Sequence, residues 1–191
     1  MTSTEIRSKI KKPIFSRADI LKYFPREPSN QINTQLHRMM MRGDLVGIKR
    51  GLYCFPDLNV DEFVLANKIY EPSYVSLESA LNIYGVIPDI VANVVSVTPI
   101  TSKRFITSLG NYLYSKIAQT LFFGYTEILD ERSGIYYNIA TPEKALLDLI
   151  YIRRIKDLMA YRTDLSNINN KKLVNYSTYF PEWVRKALKN E

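Results

Sequence analysis

Three sets of residues in this chain are of types that do chemistry. The first is the lone Cys54 with the lone His37, a candidate nucleophile and base. The second is the carboxylates Glu78, Glu143 and Asp148, which could act as a general acid–base pair if two of them met. The third is a set of hydrogen-bonding and basic side chains: Ser29, Asn30, Gln31, Asn33, Thr34, His37, Arg38 and Arg42, followed at once by Lys49 and Arg50. Side chains of these kinds on one face of a helix hydrogen-bond base edges and phosphates.

The first two sets have simpler readings. One Cys and one His cannot build a Cys/His zinc site, and both fall in a small basic segment: Cys54 as a packed strand residue, His37 as a surface residue. Glu143 reads as a first-turn acid favoured by the helix dipole. Asp148, set among Leu147, Leu149 and Ile150, and Glu78 read as internally hydrogen-bonded. The sequence has no GxxxxGK[ST] loop, GxGxxG turn or GxSxG elbow. It is therefore read as a non-enzyme with no metal and no cofactor.

Charge singles out the third set. Residues 1–56 carry 11 Lys/Arg against 4 Asp/Glu, or +7, whereas residues 57–191 carry 15 against 15. A basic segment joined to a neutral one suggests a polyanion-binding domain followed by one with another task. With 191 residues, two domains are expected, 1–56 and 57–191. No apolar run approaches the ~18 residues needed to span a bilayer, and residues 1–12 lack a signal-peptide core. The expectation is a cytoplasmic protein without a membrane partner, and a lone Cys agrees with a reducing compartment.

The elements that must position these residues are legible in outline. Ser16 with Asp19 forms a capping-box pattern for a short helix, and Phe15 with Ile20 a hydrophobic staple. Phe24-Pro25 ends that helix. A second helix starts at Ser29-Asn30-Gln31 with a capping residue at its front. It buries Ile32, Leu36, Met39 and Met40, and Gly43 stops it. Leu45, Ile48, Leu52, Tyr53 and Phe55 then suggest two short strands around a Lys-Arg-Gly turn. A polar-faced helix followed by a basic-tipped hairpin is a winged helix-turn-helix pattern. The helix can enter a major groove and Lys49 and Arg50 reach phosphates, with Arg17, Lys11 and Lys12 adding backbone contacts.

Beyond residue 57 the pattern is mixed α+β. Helices are expected at 63–70, 77–84 (capped by Ser76), 141–154 (opened by Thr141-Pro142) and 180–188. Strands are expected at 94–98, 112–117, 122–129 and 136–139, with Phe105 in a loop or a short strand. Tyr112, Tyr114, Tyr125, Tyr136 and Tyr137 read either as half-buried sheet residues or as an aromatic partner surface.

The order Lys49-Arg50-Gly51-Leu52-Tyr53, then 74–81 (YVSLESAL) with Gly85, then 139–148 (IATPEKALLD) resembles the AbiEi family over residues 10 to 155. These are antitoxins and transcriptional regulators of type IV toxin–antitoxin systems. The resemblance implies a winged-helix domain that binds double-stranded operator DNA and represses its own operon. It also implies a second domain that counteracts a nucleotidyltransferase-like toxin, not generally through a stable complex; the alternative task expected of that domain is cooperative assembly of a homo-oligomer on repeated sites. The DNA contacts then fall on Ser29 to Arg42 and on Lys49 and Arg50, while Ser76, Glu78, Glu143 and Asp148 carry structure. Lys103, Arg104, Arg153 and Arg154 form a possible secondary basic patch facing DNA or toxin. Two other readings stay open. One is a winged-helix regulator whose second domain senses a ligand or dimerises; the other is a nucleic-acid enzyme whose basic domain delivers substrate.

Overall fold

Apolar spacing and caps decide where the elements form. The computed structural model describes residues 1–88, 92–156, 158 and 163–189 as a mixed α+β chain with eight α-helices and two sheets among them. It divides into two compact units, the first of residues 1–61 with 107–109 and the second of residues 62–106 with 110–191, where the sequence pattern placed a single boundary at 56/57. Asp57 belongs with the first unit because the Arg7 guanidinium holds its carboxylate through two 2.7 Å hydrogen bonds. Moving the boundary softens the charge contrast, since residues 1–61 carry 11 Lys/Arg against 6 Asp/Glu, or +5, and the remainder +2.

The first unit contains α1 (Ser3–Lys9), β1 (Ile14–Ser16), α2 (Arg17–Tyr23), α3 (Ser29–Met41), β2 (Val46–Lys49) and β3 (Leu52–Cys54). The predicted capping box forms: Asp19 N–H donates to Ser16 Oγ at 3.1 Å, and Ser16 N–H donates to Asp19 Oδ2 at 2.8 Å. Phe15 and Ile20 are both buried in the unit's core with Ile6, Ile10, Ile32, Leu36, Met39, Leu45, Tyr53 and Phe55. Ile32, Leu36 and Met39 are the buried stripe of α3, and Met40 packs at its margin. Arg42 caps α3, and Gly43 follows at φ +78, the left-handed position that glycine occupies without strain.

Two expectations for this unit need correction. Pro28 rather than Ser29 precedes α3, and no side chain caps it; the Ser29 hydroxyl is occupied instead by Arg17. Residues 1–16 also contribute more than a basic flank. They form α1, with its own Thr2–Glu5 capping box, and β1, which pairs antiparallel with β3 to give the sheet order β1-β3-β2. The pattern missed β1 because a three-residue strand is too short to show alternation.

The second unit carries α4 (Glu62–Ile69), β4 (Tyr74–Val75), α5 (Leu77–Ile83), β5 (Val94–Thr98), β6 (Lys103–Thr107), β7 (Gly110–Lys116), β8 (Tyr125–Asp130), β9 (Ile135–Ala140), α6 (Pro142–Arg153), α7 (Asn170–Ser177) and α8 (Glu182–Lys189). Its sheet runs β6-β7-β5-β4-β9-β8, with β4 antiparallel to β5 and parallel to β9. The wholly buried β5 reads VVSVT, a central strand by its β-branched content. Helix α6 is buried continuously from Glu143 to Ile150, and it packs with α5, α7 and α8. An apolar run without amphipathic bias is what a helix needs when neighbours cover it on several sides. Of the sheet tyrosines, Tyr112 and Tyr114 are core residues, whereas Tyr125 and Tyr136 stand exposed. The Tyr114 hydroxyl donates to the Ala66 carbonyl at 2.5 Å, which ties β7 to α4.

Candidate nucleic-acid interface

The polar face of α3 is open. Asn30, Gln31, Asn33, Thr34, His37, Arg38 and Arg42 are exposed, as is Ser29 in the first turn. The structure brings Arg17 into this group as an organiser. Its Nε donates to Asn33 Oδ1 at 2.9 Å and its Nη2 to Ser29 Oγ at 2.6 Å, so one guanidinium braces α2 against the start of α3. Asn30 Oδ1 accepts from the Gln31 N–H at 2.9 Å, a local bond at an uncapped helix start. Arg42 is partly spent on Asp44, with Nε at 3.0 Å and Nη2 at 2.8 Å from Oδ2. Arg38 projects from the middle of the face without such a clamp.

The β2–β3 hairpin presents Arg50 at its exposed tip, with the half-buried Lys49 beside it. That tip is anchored: the Gly51 carbonyl accepts from the Arg17 N–H at 2.9 Å, at the first residue of α2. Ile48 is buried where the β2–β3 register shifts, which fastens the hairpin to the core. Close approach matters at Gly47, where a Cβ would come within 2.9 Å of Met40 Sδ on α3. Helix face and hairpin tip are thus held in one small unit by packing and by backbone bonds.

Of the flanking lysines, Lys12 is paired with Asp19 at 2.8 Å and Lys11 is exposed. Burial works against the Asp19 carboxylate, but the Lys12 ammonium and the Ser16 donors outweigh it and hold the group down at about 2. Cys54 is wholly buried on β3, and burial pushes its thiol up to about 11, so it is a packing residue rather than a nucleophile at neutral pH.

The secondary basic residues have separate partners. Arg153 donates to both carboxylate oxygens of Glu78, at 2.7 and 3.0 Å, which joins α6 to α5. Lys103 on β6 lies over the rings of Tyr70 and Phe105, at 5.6 and 5.2 Å, and Arg104 beside it is exposed. The Arg154 guanidinium rests over Tyr151 and Trp183. They fall in two adjacent pairs, Lys103 and Arg104 on β6 and Arg153 and Arg154 at the end of α6.

The carboxylates read from the sequence each find a cation. Glu143 accepts from the Asn169 N–H at 3.0 Å and pairs with Lys172 at 3.2 Å. Asp148, fully buried, takes a hydrogen bond from the equally buried Lys144 ammonium, from Tyr74 Oη at 3.0 Å and from Ser76 Oγ at 2.8 Å. Ser76, predicted to cap α5, therefore spends its hydroxyl on Asp148. Lys144 also donates to Tyr74 Oη at 2.8 Å and sits among the rings of Tyr74, Phe123 and Phe180. Burial pushes the Asp148 carboxyl up and the Lys144 ammonium down, while each partner's charge opposes that push. The cluster is a neutral tie between β4, α5 and α6. Sequence reasoning missed Lys144 and Tyr74, although a lysine four residues before an aspartate in a helix with no polar face signalled an internal pair.

Among the described residues no helix is long and apolar enough to cross a membrane, and no three His, Cys, Asp or Glu side chains gather to hold a metal ion. Fold and site together define a two-unit α+β protein with an exposed polar-basic helix face on its first unit. No protein-family model and no curated protein matches the chain.

Proposed function

We propose that the first unit is a winged helix-turn-helix that binds duplex DNA. In this reading α3 enters the major groove, Asn30, Asn33, Thr34, His37 and Arg38 meet base edges, and Lys49 and Arg50 grip flanking phosphates. The observation that carries it is the pairing, in one rigidly tied unit, of the open polar face of α3 with the exposed Arg50 at a hairpin tip bonded to α2. Following the AbiEi resemblance, the protein is an antitoxin that represses its own operon by covering the promoter. Its second unit counteracts a nucleotidyltransferase-like toxin in the cytoplasm or supports homo-oligomeric assembly on repeated sites.

The test is duplex binding by the full chain as a function of salt. Removing Arg50 as Arg50→Ala weakens all sequences alike and lowers the salt slope by about one, as for a phosphate contact. Arg38→Ala costs about 1–3 kcal/mol and relaxes selectivity at one base position. Salt-independent binding, or none, overturns the DNA reading. Failure of the chain to relieve growth arrest by the product of the neighbouring gene overturns the antitoxin reading and leaves the DNA reading standing.

A further inference from the structure

A cleft in the second unit, of about 390 Å³, is lined by Arg154, Ile155, Lys156, Trp183, Lys186 and Ala187. Its walls are of two kinds. Trp183 with Ile155 and Ala187 offers a flat apolar side, and three cationic side chains offer the other. The volume lies in the range of small-molecule sites.

The cationic side is built with some strain. Helix α6 ends at Arg153, and Arg154 follows in the left-handed conformation at φ 58, ψ 40, where glycine or asparagine is the usual occupant. A side chain kept in that conformation projects where a relaxed one would not. The guanidinium is then held 5.7 Å from the Tyr151 ring centre and 5.1 Å from that of Trp183, and these two rings stack at 5.9 Å with 19° between their planes. Two aromatic rings thus fix the position of a guanidinium at the edge of a cavity. Lys186 shares its charge with the exposed Glu182 at 3.1 Å. The described lining thus presents the three cations Arg154, Lys156 and Lys186 and no carboxylate.

We infer that this cleft binds a nucleoside phosphate, with the base against Trp183 and the phosphate between Arg154, Lys156 and Lys186. A planar guanidinium takes phosphate oxygens in pairs, while ammonium groups serve as point charges beside it. An indole face accepts any base by stacking. One such unit could come as a free nucleotide or as the end of a single strand, and both present the same chemistry. The inference does not rest on duplex binding by the first unit.

The chain contains a single tryptophan, so its emission reports on this cleft directly. The full-length protein is titrated with ATP, with a short single-stranded oligonucleotide and with inorganic phosphate. Saturable quenching by ATP or the oligonucleotide is expected, and the tighter of the two identifies the source. Arg154→Gln and Lys156→Gln each weaken it at least tenfold, the effect of losing a charged hydrogen bond, while Lys171→Gln, at an exposed lysine of α7 outside the cleft, leaves it unchanged. Inorganic phosphate competes only at much higher concentration. Circular dichroism that matches the wild type shows that each variant is folded, and Arg154→Gly, which suits the backbone, is the second variant if Arg154→Gln is not. The inference is overturned by an absence of saturable quenching, by wild-type affinity in both charge variants, or by phosphate binding as tightly as ATP.

Discussion

Replacing Asp148 by its amide, Asp148→Asn, keeps the shape of the side chain and deletes the counter-ion of a fully buried ammonium. The hydroxyl donors Tyr74 and Ser76 can still meet the introduced amide oxygen, so the loss centres on Lys144. Breaking a buried pair by removing one partner costs about 3–5 kcal/mol. The sign of the pH dependence follows from burial. A Lys144 without its partner titrates in the folded protein below its ordinary 10.5, so the unfolded chain binds more protons between the two values. Stability of this variant therefore rises with pH in the range below 10.5, by up to about 1.4 kcal/mol per unit. Lys144→Met gives the opposite slope. The buried Asp148 is then pushed above its ordinary 3.8, the folded state holds the extra proton, and stability falls as pH rises from about 4 towards neutrality. With two hydroxyl donors still on the carboxylate, the loss in Lys144→Met is smaller, about 1–3 kcal/mol. The double variant is more stable than Asp148→Asn alone at pH 7. Urea titrations at pH 5, 7 and 9 measure all three. Slopes parallel to the wild type, with each single loss below about 1 kcal/mol, would refute a buried charge pair.

Asp19→Asn tests the capping box of α2. The depression of Asp19 from 3.8 to about 2 corresponds to at most about 2.5 kcal/mol, and exposure of Lys12 reduces this to about 1–2 kcal/mol at pH 7. Because the folded value is the lower one, the stabilisation is present above pH 4. The difference between variant and wild type in urea titrations shrinks towards zero as pH falls from 4 to 2. Gly124→Ala places a Cβ 3.0 Å from both Lys144 Cγ and Tyr176 Cε2 at a backbone φ of +74, and a loss of about 2–3 kcal/mol in thermal or urea unfolding is expected. Arg154→Gly relieves a left-handed residue, so its unfolding free energy stays within about 1 kcal/mol of the wild type or exceeds it, even as the cleft loses a cation.

Features with a local cause were the ones legible in the sequence. The Ser16–Asp19 box, the Ile32, Leu36 and Met39 stripe and the Pro142 helix start depend on residues within one or two turns of each other, and each forms. What escaped depended on distant partners. β1 exists because Ile14 to Ser16 find β3 across some forty residues of chain. Ser76 was read as a cap from its place before α5, yet a carboxylate 72 positions later claims its hydroxyl. The same holds for the candidate interface. Polarity alone placed Asn33 and Arg38 on an open helix face, but only the folded unit shows Arg17 turned inward onto Asn33 and Ser29. Helix α7 has no counterpart in the sequence pattern, although Asn169 caps it by accepting from the Lys172 N–H.

The short strand β4 sets an order of events during synthesis. It lies between β5 and β9, and its Tyr74, with the adjacent Ser76, is bonded to Asp148. The centre of the second sheet therefore cannot close until β9 has been made, nor its buried polar tie until the chain has grown past residue 148, and non-local closure of this kind is slow. The first unit's three-stranded sheet and its core draw on nothing beyond Phe55. A nascent chain would carry the sheet and core of the basic first unit while the second sheet was still incomplete, so that a pause or truncation after residue 61 releases that sheet and core without the rest.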